Sequence, residues 1–282
     1  MKNQNIIRFA PSPNGFLHLG HAYSVLLCFD FAKKLNARFL LRIEDIDITR
    51  SKNKYIEAIY DDLKWLNLEW EKPVLLQSQN FLTYQKAAKQ LKEMQLLYPC
   101  FCTRKEIAKT SKTKDPDGAP IYSGRCKSLT KSQINENLMI KTPVQWRLDM
   151  NKAILQTGEL NYSAMQVNPA KQPKKQTINP IKWGDVIITR KDFPTSYHLS
   201  VVVDDAAQNI SHIIRGKDLE KATDIHVLLQ KLLGLPTPKY FHHDLILDDE
   251  KNKLSKSKGS TSIRDLRKSG ILVSEIHKRF GF

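Results

Sequence analysis

Four groups of residues carry side chains whose type and spacing could do chemistry. His18 and His21 are separated by Leu19 and Gly20 where a turn broken by Pro11, Pro13 and Gly15 gives way to an apolar run at helical spacing. Taken as four residues, His-x-Gly-His reads as two surface histidines beside a turn. With Arg8, the turn and the helix start around it, it reads as an anion site. Helix N-terminal amides attract phosphate, glycine permits close approach of a ligand, and the imidazoles could add hydrogen bonds. Cys100-Phe101-Cys102 brings two thiolates within reach of one ion, and Cys126 offers a third from a separate loop. Three reduced cysteines in a small core is the plainer alternative. Arg215 carries a planar fork that matches a carboxylate bidentately, or else forms a structural ion pair with Asp204 or Asp205. Lys251, Lys253, Lys256 and Lys258 crowd in front of Gly259, which by itself reads as a solvated basic loop.

The elements that must position these groups form an α/β pattern. Residues 6–10 are β-branched and aromatic, a strand, and residues 21–32 have the spacing of a buried helix. Residues 38–45 form a second strand ending in Glu44 and Asp45, and Ile56, Ile59, Leu63 and Leu66 mark a second helix. Strand–helix–strand–helix predicts a parallel sheet, whose ligands bind just past the C-terminal strand ends. Glu44 and Asp45 lie at such an end, although an acidic pair after a strand is also an ordinary solvated turn. A helix is expected over 81–97. From about 99 to 181 the composition turns to Lys, Thr, Ser, Gln and Pro, with lysine-rich loops at 108–117 and 168–181 and a strand over 144–148; this reads as an insertion. The regular pattern returns with a short strand over 186–188, an apolar run over 197–205, a strand over 211–216 and an amphipathic helix over 223–233. A last helical stretch covers 263–282. The expected organisation is therefore 1–98 and 182–247 as two halves of one nucleotide-binding fold, 99–181 inserted between them, and 248–282 as lysine loop and helical end.

A chain of 282 residues suffices for one large or two modest domains with a proper core. A formal net charge of +16 points to a polyanionic partner, nucleic acid before membrane surface. No apolar run approaches the roughly 18 residues of a membrane span, and residues 1–5 lead into a strand without a signal-peptide core. A cytoplasmic setting is expected, and it suits the cysteines better as metal ligands than as a disulfide framework.

Residues 8–21, Arg-Phe-Ala-Pro-Ser-Pro-Asn-Gly-Phe-Leu-His-Leu-Gly-His, closely resemble the ATP-binding signature of class I aminoacyl-tRNA synthetases, and their first eight residues resemble its glutamyl branch. Residues 184–233 resemble the same branch, and Lys253-Leu-Ser-Lys-Ser resembles the second class I signature, a loop that closes over ATP. Two signatures in the right order are far more specific than either alone. The resemblance covers nearly the whole chain and implies a Rossmann-like parallel sheet with an inserted connective domain carrying a zinc knuckle. It implies that His18, Gly20, His21, Lys253 and Lys256 serve ATP, with Mg2+ on the phosphates. It implies a glutamate pocket of Arg8, Ala10, Ser12, Glu44, Tyr197 and Arg215, with Glu44 on the amino group and Arg8, Tyr197 and Arg215 around the carboxylates. Members with a Cys-x-Cys and Tyr-x-x-x-Cys pattern make Tyr122 the fourth ligand of one structural Zn2+ beside Cys100, Cys102 and Cys126. Similar length, the same Cys/Tyr pattern and an end soon after the lysine loop mark a short stand-alone branch, which transfers glutamate to the queuosine base of tRNA(Asp). The chain is expected to act so, as a monomer. A truncated core charging the 3′ end of tRNA(Glu) and a catalytically silent tRNA-binding paralogue are the alternatives.

Overall fold

The computed structural model describes residues 4–247 and 261–282. The chain opens with β1 (Ile6–Phe9), α1 (Leu19–Lys34), β2 (Arg38–Ile43) and α2 (Asn53–Trp65), the expected strand–helix–strand–helix unit. β3 (Glu71–Leu76) follows, a strand the sequence pattern does not announce; its Pro73 confines it to a sheet edge, where it lies. Next come α3 (Phe81–Glu93), β4 (Leu97–Cys100), α4 (Arg104–Thr110), α5 (Lys131–Met139), β5 (Gln145–Leu148), α6 (Met150–Thr157), β6 (Asn161–Ala164), β7 (Lys174–Thr177) and β8 (Ile187–Thr189). The last part contains α7 (Tyr197–Ala207), β9 (His212–Gly216), α8 (Thr223–Leu233), β10 (Lys239–His243), α9 (Ile263–Lys268) and α10 (Val273–Phe280).

Seven strands form one sheet in the order β3-β2-β1-β9-β10-β6-β7, parallel except for β7 against β6. Successive residues of a strand face opposite sides. Accordingly Ile6 and Ile213 enter a core shared with α3, α6, α7 and α8, while Ile7 and Ile214 enter one shared with α1 and α2. A strand covered on both faces has no polar side, which is why residues 6–9 read as an apolar run broken only by Arg8. Helix α8 stops at Gly234, whose φ of +68° is the left-handed cap that favours glycine.

Two placements differ from the sequence reading. β8 does not open the second half of the main sheet; it pairs with β5, which pairs with β4, in a separate antiparallel three-stranded sheet. β6 and β7, inside the span read as an insertion, instead extend the main sheet beyond β10, with Tyr240 opposite Ala164. β7 is Lys-Lys-Gln-Thr, exposed throughout, and an edge strand with no buried face leaves no apolar alternation to read. The small sheet is fastened by Asp185, which accepts from the Tyr98 hydroxyl at 2.6 Å and the Met150 amide at 2.9 Å. Among the described residues, no helix is long and apolar enough to cross a membrane.

Candidate active site

Parallel-sheet ligands bind where neighbouring strands send the chain off in opposite directions. Here those strands are β1 and β9, and a cavity of about 980 Å³ opens at their C-terminal ends. It brings together Arg8, Ala10, Ser12, His18, Gly20, His21, Glu44, Tyr197 and Arg215, from elements spread over two hundred positions. Lys253 and Lys256 lie outside the described residues. Both flanks of their segment meet the cavity: Leu245 and Ile246 line it, and Ser262 bridges His18.

His18 is the N-cap of α1. Its Nδ1 accepts from the Gly20 amide at 3.1 Å, and His21 Nδ1 accepts from the His18 amide at 3.2 Å, a capping box built of imidazoles. In the neutral ring, a nitrogen that accepts leaves the proton on the other one. Both rings therefore carry an N–H donor at Nε2, and they lie tilted by 51° with centroids 3.9 Å apart. Gly20 gives the cap room, because a Cβ there would meet His18 Cε1 at 3.0 Å and press the ring aside by a few tenths of an ångström.

A buried charge chain runs beneath the pocket. Arg8 Nε donates to Asp205 Oδ1 at 2.9 Å, Arg42 Nη1 donates to the same oxygen at 2.8 Å, and Arg42 Nη2 reaches Glu44 Oε1 at 3.3 Å. Burial raises the Asp205 carboxyl, but Arg42 and Arg8 outweigh it and hold it below the usual range. For Glu44 burial wins over Arg42 and Arg8, and its carboxyl titrates above the usual range. The neighbouring Asp45 turns away and accepts from the Ser78 amide and hydroxyl at 2.8 and 2.6 Å. The acidic pair thus splits into one pocket residue and one turn anchor.

Arg215 is 5% exposed. Its Nε donates to His242 Nε2 at 3.3 Å, its Nη1 to His226 Nδ1 at 3.1 Å, and its Nη2 to Thr223 Oγ1 at 2.8 Å. Burial first, and then Arg215 itself, pushes His242 down to about 3 and His226 well below the usual imidazole value, so these partners are neutral. Among the described residues no carboxylate pairs with Arg215. The ion pairs weighed for it do not form: Asp205 belongs to Arg8 and Arg42, and Asp204 accepts from Gln77 and Tyr84, each at 2.7 Å. A buried guanidinium with only neutral partners keeps its charge for whatever enters the cavity. Tyr197 stands at the start of α7, its phenol pushed up to about 12 by burial.

Sequence reasoning missed Arg42, Thr223, His226 and His242. The histidines left a trace, since seven of eight fall in clusters at 18–21, 198–243, but nothing in the sequence says that they converge on Arg215.

Away from this cavity, the sulfurs of Cys100, Cys102 and Cys126 all lie within 4.8 Å of one another, and the Tyr122 hydroxyl is 3.6 Å from Cys102 Sγ. Burial raises the Cys100 thiol, yet hydrogen bonds from Tyr122, Gln145 and Arg147 bring it down to about 7. Burial pushes the Cys102 thiol the other way, up to about 11, and Arg147 lies 4.1 Å over the Tyr122 ring, a cation beside the sulfurs. A thiolate-rich donor set of this spread has the chemistry of a metal site.

Residues 5–279 match the profile of the family described as tRNA synthetases class I (E and Q), catalytic domain. A protein of Rhodobacter capsulatus named glutamyl-Q tRNA(Asp) synthetase is 39% identical over 98% of this chain and 99% of its own length. A glutamate–tRNA ligase of Aquifex aeolicus is 36% identical over 94% of this chain, which spans only 54% of that ligase. The crystal structure of the glutamate–tRNA synthetase of Elizabethkingia anophelis superposes with a TM-score of 0.74 at 28% identity, over 95% of this chain and 54% of that one. With the sheet, the imidazole-capped helix and the switch-point cavity all in place, the chain belongs to the class I tRNA synthetases (E and Q), a family of ligases, as a catalytic domain of that family.

Proposed function

We propose that the chain activates glutamate with ATP and passes the glutamyl group to the queuosine base in the anticodon of tRNA(Asp). The observation that carries the amino-acid assignment is Arg215, a buried cation aimed at the cavity and held only by neutral groups. A side-chain carboxylate satisfies it, while the amide of glutamine leaves its charge uncompensated. The tRNA assignment is supported by the likeness to the Rhodobacter protein, matched over almost all of both chains.

In the first step a glutamate α-carboxylate oxygen bonds to the α-phosphorus of ATP and the bond to pyrophosphate breaks. Arg8, Tyr197 and Arg215 orient the carboxylates, and Glu44 takes the ammonium group. The Nε2–H donors of His18 and His21, with the first amides of α1, receive charge growing on the phosphate oxygens. Lys253 and Lys256 are assigned to the same phosphates. Mg2+ bound to ATP would neutralise phosphate charge. In the second step a hydroxyl of the modified base attacks the acyl carbon, AMP leaves, and the hydroxyl proton goes to the departing phosphate. Cys100, Cys102, Cys126 and Tyr122 would hold one zinc ion that fixes the turn around 122–128.

The test is transfer of labelled glutamate to two tRNA pools, one ordinary and one from cells unable to make queuosine. Labelling of the ordinary pool alone is expected. Equal labelling of both pools would replace the queuosine reading by charging of tRNA(Glu).

A further inference from the structure

We infer that His226 is a positioning residue for amino-acid selection: it fixes the plane of Arg215 without neutralising it, and so makes the pocket prefer an anionic side chain over its amide. This rests on the proposed glutamate activation and names the group behind it that sets the choice.

Thr223 and His226 lie three residues apart on α8, hence on one face, and both are fully buried. That face presents Oγ1 of Thr223 to Arg215 Nη2 and Nδ1 of His226 to Arg215 Nη1. From β10, His242 takes the third N–H, on Nε. None of the three lines the cavity; Arg215 does. Three of the five guanidinium N–H groups are thus engaged from behind, and the group is anchored at each of its three nitrogens.

Hydrogen-bond bookkeeping fixes the His226 tautomer. Arg215 can only donate, so Nδ1 must accept, and the proton sits on Nε2. That Nε2 faces His198 Nδ1 at 3.3 Å, and His198 on α7 can accept it. The ring is therefore gripped from both sides, and α7 and α8 together decide where the guanidinium points. Tyr197 and His198 are consecutive on α7, so the same helix also delivers a pocket phenol. The charged and titratable groups around the imidazole include Arg215, His198, Arg8 and His242, and the Tyr197 ring, 5.5 Å away, with no carboxylate among these.

An aspartate in place of His226 would hold the guanidinium equally firmly and cancel its charge. The pocket would then have no reason to prefer glutamate. Neutral anchoring is the feature that separates orientation from compensation, and an imidazole accepting through Nδ1 supplies it.

The experiment is ATP–pyrophosphate exchange with the full chain, with glutamate and glutamine as alternative substrates, on wild type, H226L, H226N, H226D and T223V, each checked by thermal melting. In H226L the KM for glutamate should rise about tenfold with kcat within about twofold. H226N, whose side-chain oxygen can take the place of Nδ1, should recover most of that loss. H226D should lose the glutamate-over-glutamine preference without gaining exchange overall. T223V removes a neighbouring acceptor at nearly constant shape and should raise KM for glutamate in the same sense, which keeps the test decisive should H226L fail to fold. Unchanged KM and an unchanged glutamate-to-glutamine ratio in H226D and T223V would overturn the inference, as would H226N behaving like H226L. Absence of exchange with glutamate in the wild type would instead overturn the proposed function, and this inference with it.

Discussion

Arg8 and Asp205 meet at 2.9 Å although 197 positions separate them, and the Asp205 oxygen that accepts from Arg8 also accepts from Arg42 at 2.8 Å. Asp205 is thus an anion shared by two buried guanidiniums, and it ties β1 and β2 to α7. It also sets the pocket floor, because Arg8 is held on one side by this bond and lines the cavity on the other.

Asp205→Asn removes that charge, leaves Arg8 without a carboxylate partner among the described residues and leaves Arg42 with Glu44 alone, so a loss of about 3–5 kcal/mol in unfolding free energy is expected. Urea denaturation at neutral pH measures it. The folded carboxyl titrates below its ordinary 3.8. Its contribution is therefore present above that value and lost as pH falls through the lower folded value. The gap between wild type and variant should close on acidification below pH 4.

Arg215→Ala removes the buried pocket cation that only neutral groups hold. Loss of a charged hydrogen-bonding partner is worth about 1.5–3 kcal/mol, a rise of roughly 10- to 150-fold in KM for glutamate. Pyrophosphate exchange reads it, and an unchanged KM would move the side-chain carboxylate to another cation.

The contrast between these two arginines shows what the sequence could tell. The residues of the Arg8–His21 stretch are local, so their strand, turn and helix were readable from the sequence, and most of them line a single cavity. The partners of Arg8 and Arg215 were not readable, because Asp205, Thr223, His226 and His242 reach them only through strand order and helix packing. Weighing Asp205 as a partner for Arg215 found the right carboxylate and the wrong guanidinium. β6 and β7 were unreadable for a different reason: four-residue strands, one at the polar sheet edge and one next to it, carry too few buried positions to show a period.

Gly20→Ala should weaken ATP use without unfolding the chain. The added Cβ lies 3.0 Å from the His18 ring, which must then give way by a few tenths of an ångström and strain its capping bond. Loss of an N-cap costs about 1 kcal/mol in stability. The larger effect should fall on exchange, because the Nε2–H of His18 is displaced with the ring. A variant with normal KM for ATP and normal kcat would show that the imidazole cap does not serve the phosphates.

The cysteine cluster gives a prediction with a readout other than activity. Purified chain should contain about one zinc per molecule by elemental analysis, and Cys126→Ser should contain markedly less. Metal bound only by the folded form stabilises that form, so chelation should lower the melting temperature of the wild type more than that of the variant. A metal-free wild type with an unaltered melting temperature after chelation would leave the cluster as three reduced thiols in a small core.

Asp62 offers a stability switch distant from the chemistry. It sits on the inner face of α2, 2% exposed, with Oδ2 lacking a hydrogen-bond partner among the described residues. Burial pushes its carboxyl up to about 6, and the attraction of Arg267 and Arg264 offsets this only in part. A raised folded value means that the native state binds more protons than the unfolded one between about pH 4 and 6. The stabilising contribution is therefore full below the unfolded value of 3.8 and is lost as pH rises through about 6, opposite in sign to Asp205. Asp62→Asn keeps the shape and removes the ionisation. Its melting temperature should exceed that of the wild type at pH 8, by about 2–4 °C for each kcal/mol recovered, and the excess should vanish near pH 4. The same difference at both pH values would mean that the charge of Asp62 is already compensated by the two arginines.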